Sequence, residues 1–192
     1  MFRSAKKAFG YHYPNYDPKK LAKAICKKQG WILWETRFYT GVAQKKYDPF
    51  WHHFWSAKLS MFNMQKRCFS FSRPIVYRNK TIKCPVCGKI KIVDSDEKGI
   101  DVRIAIDVVS LGYKKAYDVA LIFSQDQDLS EVADEVRVIA KMQKRFIKVV
   151  SVFPKNLTKK YLCRGIYKTD WISFDKDFFD SCVDSRDYRL KK

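Results

Sequence analysis

Carboxylates are scarce in this 192-residue chain: 20 Asp and Glu stand against 39 Lys and Arg, a formal net charge of +19. Like charges at that density repel one another unless a partner offsets them, so the deficit points to nucleic acid or an anionic surface. Long apolar runs are also missing. No stretch reaches the ~18 residues of a membrane-spanning helix, and no basic-then-apolar signal segment opens the chain. A soluble, cytoplasmic protein with no membrane partner is expected. Cysteine is sparse, and Cys26, Cys68, Cys84, Cys87, Cys163 and Cys182 are scattered along the chain. That is no dense secreted framework, so reduced thiols are expected rather than disulfides. There is no internal repeat, no low-complexity tract and no linker. What is present is 46% apolar residues over a length typical of one domain, and a single domain over 1–192 with a real core is expected.

Capping residues and periodicity place the elements. Asp17-Pro18 reads as an N-cap followed by Pro at the first helical position. Leu21, Ala22, Ile25 and Cys26 recur at helical spacing, and Gly30 closes the helix. Trp31 to Tyr39 reads as a strand ended by Thr40-Gly41. Asp48-Pro49 repeats the cap signature. Trp51, Phe54, Trp55, Leu59 and Phe62 then form a packing stripe, with His52 and His53 beside it. Phe69 to Arg78 is an extended segment in which Pro74 marks an edge. Thr81 to Val93 is a hairpin, within an insertion over about 79–95. A helix carrying Ile100, Ile104, Val108 and Leu111 comes next, then a buried strand over Tyr117–Phe123. Asp128 to Met142 is a helix with Val132, Val136, Ile139 and Ala140 inward, and Phe146–Phe153 is the next strand. Leu157–Leu162 is a turn or short helix, and Tyr167–Phe174 a last strand. Strands alternating with helices predict an α/β fold with a mainly parallel sheet flanked by helices.

The chemistry concentrates in Ser124-Gln125-Asp126-Gln127-Asp128. In open parallel sheets, ligands sit beyond the carboxyl ends of the strands, and this segment leaves the Tyr117–Phe123 strand at that end. Asp101, near the start of the preceding helix, can face the same crevice. Several carboxylates at one point repel each other unless a hard cation such as Mg²⁺ is present. Such an ion activates water and stabilises charge on a phosphate. The competing reading is that Asp126 and Asp128 cap the next helix, where acids are favoured. Spacing alone leaves both readings open. Asp107 lies about 600° around a helix from Asp101, so the two do not share a face. It reads as a supporting acid, or as the partner of Arg103 one turn earlier.

Taken in order, Lys98-Gly99-Ile100-Asp101-Val102, then Asp107, then Tyr117-Asp118-Val119-Ala120 through Ser124-Gln125-Asp126-Gln127-Asp128 resembles the NYN domain. That is a branch of the PIN-like nuclease superfamily, here in its LabA-like form. The family pattern is a K-G-x-D helix start, a Y-D-x-A strand and an S-x-D-x-D loop, and Tyr39-Thr40-Gly41 also looks like a family segment. The resemblance spans residue 1 to about 175. It implies a Rossmann-like sheet, a cluster of acids, Mg²⁺ or Mn²⁺, and RNA as substrate. By this match Asp101, Asp126 and Asp128 take the catalytic metal-site roles, and Ser124 shapes the loop. The family also opens with a strand ending in D-G-x-N, whose Asp is a principal ligand, and this sequence has no such motif. Its first residues look like the family segment immediately C-terminal to that motif, so a short upstream segment holding the first strand is expected.

Cys84-Pro85-Val86-Cys87-Gly88 has the shape of half a zinc knuckle. Tetrahedral Zn²⁺ needs four ligands and one C-x-x-C supplies two. Cys68 and a histidine, or a second copy in a homodimer, are the sources considered for the rest. The alternative is a tight hairpin with two free thiols. Dispersed basic pairs, among them Lys27-Lys28, Lys114-Lys115, Lys144-Arg145 and Lys159-Lys160, suit phosphate contacts along a track. The expectation is a metal-dependent ribonuclease hydrolysing RNA phosphodiester bonds. The rival readings are a non-catalytic RNA-binding module and a regulatory interaction module, each with an incomplete acidic site.

Overall fold

The computed structural model describes residues 2–13, 15–84, 88–156 and 164–189. The chain divides into two compact units, one of Met1–Thr36 with Asp101–Arg186 and the other of Arg37–Ile100 with Asp187–Lys192.

The first unit holds helices α1 (Phe2–Phe9), α2 (Pro18–Gln29), α4 (Ile100–Tyr113), α5 (Ser130–Gln143) and α6 (Lys176–Asp180). Its strands are β5 (Val119–Ile122), β6 (Lys148–Pro154) and β7 (Asp170–Phe174). They form one parallel sheet in the order β5-β6-β7. The register sets Val119 beside Lys148 and Ile122 beside Ser151, then Val150 beside Asp170 and Pro154 beside Phe174. Parallel neighbours need a crossover, and α5 supplies it between β5 and β6. Strand β6 is the buried spine: Val150, Ser151 and Val152 have no exposed surface. Both α1 and α5 pack against it. The core gathers Ile122, Leu129, Val132, Val136, Val149 and Ile166, with Ile104, Ala105, Val108 and Val109 of α4 packed against them. This is the expected α/β architecture, a parallel sheet flanked by helices.

The second unit holds β1 (Thr36–Val42), α3 (Pro49–Asn63), β2 (Cys68–Pro74), β3 (Val76–Cys84) and β4 (Gly88–Asp96). Strands β1 and β2 pair. Strands β3 and β4 form an antiparallel hairpin from Val76↔Asp96 to Cys84↔Gly88. Phe38 stacks on Trp55 and leans on Phe62, so the aromatic stripe of α3 is packing, as its spacing predicts.

The caps are where the sequence places them. The Asp17 carboxylate accepts from the amides of Lys19 and Lys20, and that of Asp48 accepts from Trp51. Gly30 closes α2 at φ 71°, a conformation that glycine adopts without strain. Three details differ. The strand expected over Trp31–Tyr39 is β1, shifted to Thr36–Val42, because the Trp31 amide donates to Cys26 O, 2.9 Å away. That bond makes Trp31 part of the helix cap. The extended segment over Phe69–Arg78 is broken between β2 and β3 at Ile75, directly after Pro74, which has no N–H to continue a ladder. Strand β5 is only half-buried, with Ile122 alone fully enclosed, since within the described sheet it has a neighbour on one side only. Among the described residues, no helix is long and apolar enough to cross a membrane.

Two expectations test this packing. Ile139 on α5 is completely buried, so Ile139→Ala lowers the unfolding free energy by ~2–5 kcal/mol in a guanidinium titration. Gly165 lies under Trp171 and Ser151: an added Cβ would stand 2.7 Å from Trp171 Cδ1 and 2.8 Å from Ser151 Oγ. Gly165→Ala therefore costs ~1–3 kcal/mol and alters the near-UV circular dichroism as Trp171 shifts.

Candidate acidic site

The acidic loop starts where β5 stops. The Ser124 amide donates back to Ile122 O at 2.9 Å, ending the strand. The buried Ser151 hydroxyl of β6 donates to Ser124 O at 2.7 Å. Ser124 Oγ then accepts the Asp126 amide at 3.1 Å. One carboxylate oxygen of Asp126 accepts the Asp128 amide at 3.1 Å, capping a short 3₁₀ turn over Gln127–Leu129. Leu129, buried in the core, ends the loop. Asp126 does cap, as one of the two readings of its spacing holds, and its second carboxylate oxygen is outside that bond.

The two glutamines face the other way. Gln125 Nε2 donates to Arg164 O at 2.8 Å. Gln127 Nε2 donates to Gly165 O at 3.1 Å and to Gln125 O at 3.0 Å. Its Oε1 accepts the Tyr167 amide at 3.0 Å. The segment 164–168 thus acts as a strap across the loop. The strap is tied in turn to α5, where Lys168 reaches Glu131 at 3.2 Å and Asp134 at 2.5 Å. With both glutamines turned to the strap, Asp126 and Asp128 are left exposed on one turn.

Asp101 lies in the first turn of α4 and is exposed; an acid is favourable there against the helix dipole. Asp107 is buried at 7% exposure and pairs with Arg103 at 2.9 Å, one turn earlier. That is the ion-pair reading of its position. Among the described residues, no group of three or more His, Cys, Asp or Glu is placed to hold a metal ion. The structure brings Asp126 and Asp128 together and does not add Asp101 to them as a third ligand of one cluster. The donor chemistry still fits a hard divalent cation. Mg²⁺ is commonly held by one or two carboxylates, with waters and substrate phosphates filling its octahedron. A carboxylate oriented by a backbone amide, as Asp126 is, suits that role. The zinc expectation rests on Cys84 and Cys87, and the C-x-x-C turn lies outside the described residues. Cys26, Cys68 and Cys182 are buried thiols outside any disulfide.

The one sequence signal that could single out Gln125 and Gln127 is their alternation with Asp126 and Asp128. A period of two between amide and carboxylate sends the two kinds of side chain to opposite sides of an extended loop. Nothing in composition singles out the strap at 164–168.

The sequence matches the family model of the NYN domain over residues 4–166. No curated protein and no solved structure matches the chain. The matched span contains Asp101, Asp107, Ser124, Asp126 and Asp128, and it ends just before β7. Nucleases of this type generally use divalent metal ions, and the family points to RNA as the class of substrate. The chain belongs to the NYN family, within the PIN-like nuclease superfamily.

Proposed function

We propose that this chain is a metal-dependent ribonuclease that hydrolyses RNA at the Asp126–Asp128 loop. The observation that carries the reading is two exposed carboxylates on a pinned turn at the end of a parallel strand, in a chain of net charge +19. When bound, a Mg²⁺ or Mn²⁺ ion supplies charge opposite the scissile phosphate and a water of lowered pKa. Asp126 and Asp128 would hold it, and Asp101 is assigned with them by the order of the family motifs. Ser124 Oγ fixes the Asp126 amide. Gln125 and Gln127 keep the loop on the strap, so the carboxylates have no need to reorganise when substrate arrives. Lysine and arginine side chains neutralise the RNA backbone and set its position.

One observation favours a second reading, RNA binding without cleavage: no three acids stand together among the described residues.

Two measurements decide between them. Asn caps a helical turn as well as Asp does, so Asp126→Asn keeps the fold while removing a ligand charge. Cleavage of a labelled RNA in Mn²⁺ or Mg²⁺ is expected to stop in EDTA. In Asp126→Asn it falls by at least ~100-fold, the upper end of the cost of losing even a partner one shell out, with RNA binding retained. Undiminished cleavage in that variant overturns the site, and absence of cleavage in every form supports the binding reading. Binding itself should weaken with salt. Three phosphate contacts on a single strand give a log–log slope of about −2, or roughly 20-fold between ~50 and ~200 mM salt. A flat salt response would remove RNA as the partner.

A further inference from the structure

The strap that pins the acidic loop carries a second feature. Arg164 Nη1 donates to the Tyr167 hydroxyl at 3.3 Å, and its guanidinium lies 5.8 Å from the centre of the Tyr167 ring. Both side chains are exposed. Electrostatically, Arg164 is an exception in its unit. Arg103 pairs with Asp107, Arg137 with Asp134, Arg145 with Asp118 and Arg186 with Asp184. Among the described residues Arg164 pairs with no carboxylate. An arginine whose only side-chain partner is an aromatic ring keeps its charge and its planar fork of donors available to an anion.

Its position is fixed relative to the acids by backbone bonds. Gln125 holds the Arg164 carbonyl, and Gln127 holds the Tyr167 amide. These are the residues that alternate with Asp126 and Asp128. Arg137 also donates to the carbonyl of Lys168, the next residue of the strap. An exposed aromatic face and an uncompensated guanidinium thus sit on a segment bonded directly to the acidic loop.

We propose that Arg164 and Tyr167 form a nucleotide subsite beside the acidic pair: the Tyr167 ring stacks an unpaired base, and Arg164 takes an adjacent phosphate. The proposal rests on the reading of this chain as an RNA-binding protein and adds the form of the RNA. A base inside a duplex has both faces covered by its neighbours, so a stacking platform selects a single strand. It also accounts for the tyrosine hydroxyl, which holds the guanidinium at the rim of the ring.

The test is equilibrium binding in EDTA, where no cleavage occurs, of a fluorescein-labelled oligoribonucleotide of mixed sequence. The same strand annealed to its complement is the comparison. Loss of one stacked base predicts that Tyr167→Ala weakens single-strand binding by about 5- to 150-fold. Duplex binding should stay unchanged. Tyr167→Trp keeps a stacking face and retains single-strand affinity. Arg164→Ala lowers the salt slope by about 0.7, one phosphate contact on a single strand. All three variants leave untouched the backbone bonds that hold the loop, and near-UV spectra matching the parent verify this. If the parent binds RNA and Tyr167→Ala binds both forms equally well, the subsite is refuted while the RNA reading stands. An equal loss for single strand and duplex also refutes it. If the parent binds neither form, both the subsite and the RNA reading fall.

Discussion

The hydroxyl of Ser151 is buried without exposed surface in β6 and donates to the carbonyl of Ser124. A hydroxyl in that position cannot turn to water, and leaving it unpaired would cost the full desolvation of the group. It therefore holds the first residue after β5 against the neighbouring strand. The turn at Asp126, the 3₁₀ cap and the burial of Leu129 all depend on where Ser124 is held. The same serine lies against Gly165, so one side chain registers both the acidic loop and the strap that covers it. Precision at the loop comes from the parallel sheet, and the loop has little freedom of its own.

Much of this fold was legible because its signals are local. Asp17-Pro18 and Asp48-Pro49 announce helix starts through one carboxylate and one missing N–H, and the helices begin there. The core faces of α4 and α5 arise from a 3.6-residue period. Boundaries were less legible where a long-range or capping bond decides them. Trp31 looks like a strand residue by type and is claimed by the carbonyl of Cys26. Strand β5 is less buried than its apolar run predicts, because such a run does not say how many neighbours a strand has. At the site, the order of motifs singles out Asp126 and Asp128 but does not show that Asp126 also caps the turn. Capping and ligation are compatible, since a carboxylate has two oxygens and Asp126 caps with one. The strap was invisible because its bonds to Gln125 and Gln127 join residues about forty positions apart, and no local pattern encodes that distance.

The large positive charge has more than one physical use. The non-glycine residues with positive φ among the described residues are Arg67, Lys115, Lys144 and Lys168. Lys115 and Lys144 come after α4 and α5, where their amides and those of Ala116 and Arg145 satisfy the last carbonyls. Glycine is the usual occupant of that position. A lysine there accepts backbone strain but brings a cation to the negative end of the helix dipole. Other cations are neutralised within the protein, as Arg145 is by Asp118 and Arg137 by Asp134. Net charge alone therefore overstates the surface offered to a polyanion, and the cations that matter to a ligand are those with no internal acid.

The cap at Asp126 has an evolutionary consequence. The turn asks position 126 for an acceptor oxygen on a short side chain and nothing more, and asparagine meets that demand as well as aspartate. Purifying selection for folding is thus blind to one of the charges that the proposed hydrolysis requires. If the proposed activity holds, a single-nucleotide change, Asp126 to Asn, would separate cutting from merely holding a strand while keeping the cap of the turn. The reverse step is equally short. On that proposal, a catalyst and an inert relative would stand one mutation apart, with the same cap at position 126.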